Sequence, residues 1–570
     1  TGRNSLLIVP SNIYLKNKLS LTKNSLYMAA TDSAKSSWTK EKNEYMAVKY
    51  HPVIPERKNG YSDYFSPYLT SDGRIVALKT SLSSPEKFVL IDTLQKHERN
   101  LGTTGYIYPS VFSFSDGKAV WAETQPDKRW GNRSFSSIRM MDIYTGRVRT
   151  ISSFTRLSAP SLSHNGKFIV AVNCAPDLSS SLVILDSKNG NIKNEIAAPG
   201  ETFLERPVWS ENDSSIAVIT LSPEGEGVAI YDTEKSIWSY PVKMSHTDIE
   251  QIEFSGGKLF LLMQDAHSVN IYARSADGSY YQVTHSAYGI SSFSLSGNKL
   301  TFSDYSKDGF NVSVISTDSL NNESELLSYN SLFVHNNVKA EGTPVDKQVY
   351  EATPYRRFGH IVRIHSWAPL YYNAENIVAG DISVSPGFTL LSQNDLSTVI
   401  SSFGYEHQKN IDIFHSSITL QGLYPIITFG LSYGNGYLYE LFDKANTIHS
   451  RSYYANITIP LLYKYNKFRQ YLTASININH SDNYYNTFDN KFFDSNYTTL
   501  SPRVYFYNLF QTASRDIYPR WGQVIDLKAS FVPWGSSGYS PIGGFTATFF
   551  FPGLFRNHSL MFTTGYENQR

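Results

Sequence analysis

One stretch of the chain has the spacing of a nucleophile. Gly430-Leu431-Ser432-Tyr433-Gly434 matches Gly-x-Ser-x-Gly, the sharp strand-to-helix elbow that presents a serine hydroxyl for acyl transfer. The elbow needs a helix directly after the serine. The next residues are Asn435-Gly436-Tyr437-Leu438-Tyr439, a turn and more aromatic strand, and no amphipathic helix occupies the rest of the chain. Ser432 therefore reads as a strand residue on the face of Thr428 and Gly430, and no catalytic residue is assigned. Metal chemistry has as little to build on. There is no His-Glu-x-x-His, and His360 and His365 flank a strand without zinc-ligand spacing. Asp304-x-Ser306-x-Asp308-Gly309 has the first oxygens of a calcium loop but lacks the later glutamate, and it falls where a hairpin should turn. Glu224 and Glu226 flank Gly225 in a polar loop and read as solvated surface. The single cysteine, Cys174, lies in an apolar run and reads as a small buried hydrophobe. With one cysteine neither an internal disulfide nor a multi-cysteine metal site can form. No Walker or dinucleotide glycine pattern is present, so no cofactor and no metal is expected.

The bulk numbers narrow the partners. At 570 residues the chain has room for two or three domains. Lys plus Arg is 51 against 50 for Asp plus Glu, and a net charge of +1 gives no reason to expect nucleic acid as a partner. No apolar run reaches the roughly 18 residues of a transmembrane helix. The chain opens on Thr1 and ends at Arg570 straight after a strand-like segment, so it reads as a piece of a longer protein.

Residues 1–45 read as a helical connector. Tyr27, Ala30, Ala34 and Trp38 share a helical face, and Asn24 or Ser25 is the expected cap. A repeat fills residues 46–337. Its mark is a turn of the form Asp/Asn-Gly: Asp72-Gly73, Asp116-Gly117, Asn165-Gly166, Asp213-Ser214, Gly256-Gly257 and Gly297-Asn298. A short apolar strand comes after each turn, as in Ile75–Ala77 or Phe168–Val170, and a proline often stands upstream, as in Ser66-Pro67, Ala159-Pro160 and Arg206-Pro207. Repeats of roughly 40–50 residues with several short strands each signal a β-propeller, here of six blades. Either residues 45–53 or 331–334 supply the closing strand.

Residues 338–376, with three prolines and the basic pair Arg356-Arg357, read as a linker. From 377 to 570 large apolar residues alternate with small or polar ones. Ile427, Phe429, Leu431 and Tyr433 alternate with Thr428, Gly430 and Ser432, and the pattern recurs at 472–479, 525–531 and 545–551. Period two means strands, and about ten are expected, roughly at 380–391, 396–406, 412–422, 425–437, 448–461, 469–481, 497–512, 521–533, 541–552 and 557–567. The 221 residues from Tyr350 hold 44 aromatics against 37 in the preceding 349, and many sit near strand ends. Aromatic girdles and short turns alternating with long polar loops belong to transmembrane β-barrels. The expected fold is therefore all-β: a six-bladed propeller, then an antiparallel transmembrane barrel whose strands are incomplete in this piece.

Two resemblances rest on these residues. The repeated phrase Pro-x-Leu/Trp-Ser, Asp/Asn-Gly and a strand ending in Tyr-Asp or Leu-Asp resembles the propeller of TolB over about 290 residues. Asp516-Ile517-Tyr518-Pro519-Arg520-Trp521-Gly522, an Asp-x-x-Pro-x-x-Gly hairpin, resembles the bacterial surface-antigen superfamily, the barrels of outer-membrane assembly factors. Asp516, Pro519 and Gly522 carry that likeness. The sequence departs from the superfamily in having no β-α-α-β-β module upstream and no Arg-Gly-Phe/Tyr lid-loop signature. The joint arrangement resembles large outer-membrane proteins of Bacteroidota. It implies a non-enzymatic protein of the outer membrane with its propeller in the periplasm. Membrane lipid and a periplasmic or secreted polypeptide would be its partners, and outer-membrane assembly or secretion its task. Prolyl-oligopeptidase-like enzymes also place a propeller before a Gly-x-Ser-x-Gly motif, so a propeller-gated serine peptidase using Ser432 is the rival expectation. A passive porin with a docking propeller is the third.

Overall fold

The computed structural model describes residues 16–44, 47–54, 60–107, 112–131, 133–264, 268–317, 326–327, 361–372, 384–408, 411–438, 446–482, 484–486, 491–493, 497–534 and 540–569. Among the described residues the fold is all-β apart from the N-terminal region, with six small sheets, then one of eleven strands and a two-stranded hairpin of Tyr484–Asn486 with Lys491–Phe493.

Each expected Asp/Asn-Gly turn joins the first two strands of a blade. Left-handed backbone explains the residue choice. Gly73, Gly117, Gly166, Gly256 and Gly297 all have positive φ there. In the fourth blade Asp213 takes that place at φ 58. Its carboxylate accepts the amides of His164 at 2.8 Å and Asn165 at 3.0 Å, so an aspartate that strains its own turn caps the turn of the blade before it.

Blades 1 to 4 are four-stranded antiparallel sheets whose inner strands are Ser62–Leu69, Phe112–Ser115, Leu157–Leu162 and Phe203–Trp209. Blade 5 starts at Ile249–Ser255 and gains a short outer pairing from Leu326–Leu327. Blade 6, from Ile290–Ser296, has three strands of its own. Six apolar clusters lie between neighbouring blades, one at each junction, and no blade buries both faces alone. The sixth cluster closes the ring. Ile54, Tyr64, Ile75 and Val89 meet Val312 of blade 6. The N-terminal segment completes the last blade: Val53 N–H donates to Val312 O at 2.9 Å, and Tyr50 stands edge-on to Phe302 at 4.9 Å. Of the two closing segments expected, this is the first. Residues 331–334 lie outside the described residues.

The helix Lys23–Glu44 is capped by Thr22, two to three residues before the Asn24 or Ser25 expected. Thr22 Oγ1 accepts the Ser25 amide at 3.1 Å, and Ser25 Oγ accepts the Thr22 amide at 2.7 Å, a reciprocal capping box. Its apolar face packs on nothing described. Tyr27 is 69% and Trp38 65% exposed, because Ala30 and Ala34 between them give too narrow a stripe for burial. Among the described residues no helix is long and apolar enough to cross a membrane.

The C-terminal sheet is an antiparallel meander from Ile364–Tyr372 to Ser559–Gln569, with one separate hairpin inserted between Phe468–Asp482 and Tyr497–Phe510. Its ten later strands fall where alternation places them. The first, Ile364–Tyr372, lies inside the stretch read as linker. Its strands run to 13 residues at Ile426–Leu438 and 20 at Asn446–Tyr465. Pairing fixes the two faces. Ile418, Phe429, Ala455 and Ile478 lie in one row across four strands, and Thr419, Thr428 and Asn456 in the next. Phe414, Phe429, Tyr453, Ile476, Val504 and Leu527 are exposed on the first face. The opposite face is polar, with Thr419 and Thr428 hydroxyls 3.0 Å apart and Thr428 buried.

Candidate functional site

Three places gather the chemistry: the propeller channel, the turns that join propeller to sheet, and a polar row inside the sheet.

The channel is walled by the six inner strands and encloses about 290 Å³. Its shape comes from a recurring defect. Ser66, Ala159 and Arg206, each before a proline, have φ of 47°, 45° and 48°, and the pairing register slips at all three places. Proline cannot donate to the ladder, so the strand bulges there, and Ser66 and Arg206 line the channel. Cross-blade bonds then staple the ring. Ser113 Oγ accepts the Leu162 amide at 3.0 Å, and Trp209 Nε1 donates to Ser161 O at 3.1 Å. Gln251 exchanges two bonds with the backbone of Phe293, at 2.7 and 3.2 Å. Glu253 Oε2 accepts the Leu295 amide at 2.9 Å. Ser294 Oγ donates to Pro67 O at 2.6 Å.

Glu253 is the unusual member. Desolvation among the inner strands pushes its carboxyl up to about 8, against the lowering effect of bonds from Leu295 and Gln251. The folded state thus holds a proton on Glu253 that the unfolded chain releases near its ordinary 4.5. Stability is fully kept below that lower value and falls as pH rises from it toward about 8. We expect the melting temperature of the propeller to drop by several degrees between pH 5 and pH 8, and Glu253→Gln to flatten that slope. An equal slope in both proteins, measured by calorimetry, would refute the assignment.

Arg206 and Glu250 sit at the same position of neighbouring inner strands. Burial lowers the Arg206 guanidinium although Glu250, Glu205 and Asp248 raise it. Glu250 is raised by burial and by Asp248. Glu226, expected as solvated surface, is half-buried and accepts the Ile249 amide at 2.7 Å, so it belongs to this acidic rim. Glu224 is exposed and held by Ser222 Oγ at 2.6 Å. Cys174 is half-buried at a strand end, short of the full burial expected, because its strand runs out at the turn to Ser180.

The channel has a definite orientation. Ser62 pairs with Ser81, so inner strands begin on the side of the Ser81–Ser84 hairpin. That hairpin meets the sheet. Leu82 O accepts the Arg515 amide at 2.9 Å, and Ser83 O accepts Asn557 Nδ2 at 3.2 Å. Blade 2 adds Gln125 Nε2 to Tyr465 O at 3.5 Å and the Arg129 guanidinium over the Tyr424 ring at 5.5 Å. Between the blades, Gln511 Nε2 donates to Thr104 O at 2.9 Å.

The Asp516–Gly522 hairpin is the centre of this joint. Asp516 has a 1% exposed side chain. Its Oδ2 accepts the Ala513 amide at 2.9 Å, and its Oδ1 accepts Asn557 Nδ2 at 2.6 Å with Arg520 Nη2 at 3.6 Å. Asn557 thereby bridges two turns of the sheet to the propeller. Pro519 is half-buried in the turn. At Gly522 a Cβ would lie 2.9 Å from Asn508 O, so the close approach of two strands requires glycine.

Ser432 lies inside the sheet, as its alternation requires. Ser432 Oγ is 2.9 Å from His415 Nδ1, and His415 Nε2 is 3.1 Å from Glu406 Oε2. Ser385 Oγ donates to Glu406 Oε1 at 2.7 Å, and the Tyr371 ring stacks on His415 at 4.4 Å. Sequence reading missed His415 and Glu406, which register alone brings beside Ser432: His415 is its direct cross-strand partner. The Asp304–Gly309 stretch is a hairpin with Ser306 paired to Gly309, as its position between two strands predicts. His365 is exposed in the first strand of the sheet and contacts Ser366 Oγ at 2.7 Å, while His360 and the Arg356-Arg357 pair lie outside the described residues.

No family model matches the chain, and no curated protein does. Solved structures do match at low similarity. TolB from Acinetobacter baumannii is 15% identical with a TM-score of 0.34, over 48% of this chain and 66% of that one. The β-propeller domain of the Trilobed protease from Pyrococcus furiosus is 12% identical with a TM-score of 0.32, over 47% of this chain and 99% of that one. An oligogalacturonate lyase from Vibrio parahaemolyticus is 13% identical with a TM-score of 0.33, over 46% and 80%. TolB, a protease domain and a lyase therefore stand side by side, and the six-bladed ring rests on its own sheets and junctions.

Proposed function

We propose that this is a non-enzymatic outer-membrane protein whose periplasmic propeller holds a polypeptide beside a β-barrel, in outer-membrane assembly or secretion. The observation that carries the reading is the two-faced sheet joined to one end of the channel. One face exposes Phe429, Ile476 and Leu527 in rows, the other is polar, and the strands, from 9 residues at Gly522–Ser530 to 20 at Asn446–Tyr465, reach the roughly 9–11 residues needed to span a bilayer. Lipid on the apolar face would remove from water side chains that a soluble sheet would have to cover. The turns at 421–425, 511–521 and 553–558 then lie at the periplasmic surface, against the propeller. The resemblance to TolB propellers and surface-antigen barrels, including the Bacteroidota arrangement, agrees with this placement. The test is fractionation of the expressing cell. The full chain is expected in the detergent-extracted outer membrane, with the propeller cut by protease only after the outer membrane is breached. Recovery from the soluble fraction without detergent would end the proposal.

The Ser432–His415–Glu406 contacts favour a second reading, a serine hydrolase. Against it, the strand holding Ser432 is paired on both sides, with His415 and Ser452, which commits the local amides to ladders rather than to an oxyanion. The row then serves as polar filling of the inward face. We expect a fluorophosphonate probe to leave the chain unlabelled. Labelling that disappears in both Ser432→Ala and His415→Ala would reverse the choice.

A further inference from the structure

The propeller channel holds two hydrogen-bond donors for which the chain supplies no acceptor among the described residues. Arg206 lines it, near enough to Glu250, Glu205 and Asp248 to feel their charge, yet its guanidinium makes no hydrogen bond or close ion pair with any described residue. Ser291 Oγ, from the inner strand side of blade 6, is buried and likewise has no partner. Arg206 is half-buried and its nitrogens are not sealed off, so an acceptor that enters the channel can reach them. Other polar side chains around it are used in stapling the ring, as Gln251, Glu253, Ser113 and Ser294 show.

The surroundings select the anion. Glu205 and Asp248 are exposed at the mouth facing the sheet, and Glu250 stands beside Arg206. A phosphate with two charges would meet three carboxylates on its way to one guanidinium. A single carboxylate meets half that repulsion, and where basic residues precede it the acidic mouth attracts the rest of the chain. The volume of about 290 Å³ sits at the low end of small-ligand pockets, so a folded domain cannot enter but an extended chain end can. Aromatic rings make part of the wall, with Tyr68 stacked on Phe114 at 5.2 Å across blades 1 and 2.

We propose that the channel seats the C-terminal carboxylate of an extended polypeptide on Arg206 and Ser291, entering by the mouth that faces the sheet. This rests on the polypeptide-holding function above and names the part of the polypeptide that is held. Planar, two-pronged donation by a guanidinium suits a carboxylate, and the aromatic part of the wall takes the terminal side chain.

The experiment uses the full chain in detergent micelles and a fluorescent hexapeptide of alternating serine and glycine that ends in leucine. Fluorescence anisotropy compares its free acid with its C-terminal amide. The acid is expected to bind about tenfold or more tightly than the amide, and Arg206→Ala to abolish that ratio. Alanine is tolerated in the same left-handed place before proline, since Ala159 occupies it in blade 3 at φ 45. Ser291→Ala is expected to reduce the ratio partly. An amidated peptide with glutamate in place of leucine tests the source of the carboxylate, and equal binding of that peptide overturns the assignment to a chain terminus. Inorganic phosphate competing better than acetate overturns the choice of anion. Equal binding of acid and amide, unchanged in Arg206→Ala, overturns the carboxylate site while polypeptide binding stands. Binding of none of these peptides overturns both.

Discussion

Asp516→Ala is expected to lower stability by about 3–5 kcal/mol, the cost of stranding buried partners of a removed charge. The loss has named parts. The Ala513 amide and the Asn557 side chain lose their acceptor, and Arg520 loses its only nearby carboxylate contact among the described residues. Asn557 also carries the bond to Ser83 of the propeller, so the effect is expected to cross the joint. Asp516→Asn keeps an acceptor oxygen and should recover part of the loss. The measurement is thermal unfolding in detergent together with protease cleavage between propeller and sheet. A double-mutant cycle with Asn557→Ala should return a coupling of about 1–3 kcal/mol. If Asp516→Ala melts with wild type and the joint resists protease equally, the hairpin is ordinary turn chemistry.

The second large effect is predicted inside blade 2. Glu123 is 4% exposed and collects three donors: Trp121 Nε1 at 3.1 Å, the Gly105 amide at 3.0 Å and Arg139 Nε at 3.0 Å. Glu123→Ala leaves all three without an acceptor, one of them a half-buried guanidinium, and should cost about 3–5 kcal/mol. Glu123→Gln retains one acceptor and should cost distinctly less. Urea titration monitored by tryptophan fluorescence reads this directly, because Trp121 is fully buried against Phe88 at 5.0 Å. An unchanged midpoint in Glu123→Ala would show that water satisfies these donors. The loop fixed by Glu123 also presents Thr104 O to Gln511, so the variant is expected to weaken the joint as well.

Much of the architecture was legible because it is local. A left-handed turn needs glycine, asparagine or aspartate, so Asp72-Gly73 and its five counterparts mark the blades without knowledge of the ring. Alternation through Ile427–Tyr433 likewise marks a strand and its two faces. The features that escaped depend on partners far away in sequence. Ile364–Tyr372 read as linker because Pro369 breaks its alternation. In the structure that proline falls at a register slip between Ala368 and Leu370, on an edge strand where a missing N–H costs little. His415 and Glu406 carry no motif with Ser432, since only the register of two hairpins brings the three together. Arg206 looked like any residue before a proline until the ring placed it in the channel wall. The helix face at Tyr27 and Trp38 misled in the opposite direction, since spacing predicted packing and both rings stay exposed.

The clasp between Val53 and Val312 has a consequence for how the molecule is made. A ribosome delivers the N-terminal half of the clasp first, and any export channel that threads the chain from its N-terminus does the same. The first blade then waits, with Ile75 and Val89 uncovered, until more than half of the polypeptide has emerged. Contacts this distant in sequence form slowly, and apolar surface held open meanwhile invites aggregation. The ring therefore comes to completion just as the sheet begins to appear. A chaperone that shelters blade 1 during that interval is expected to raise the yield of closed rings.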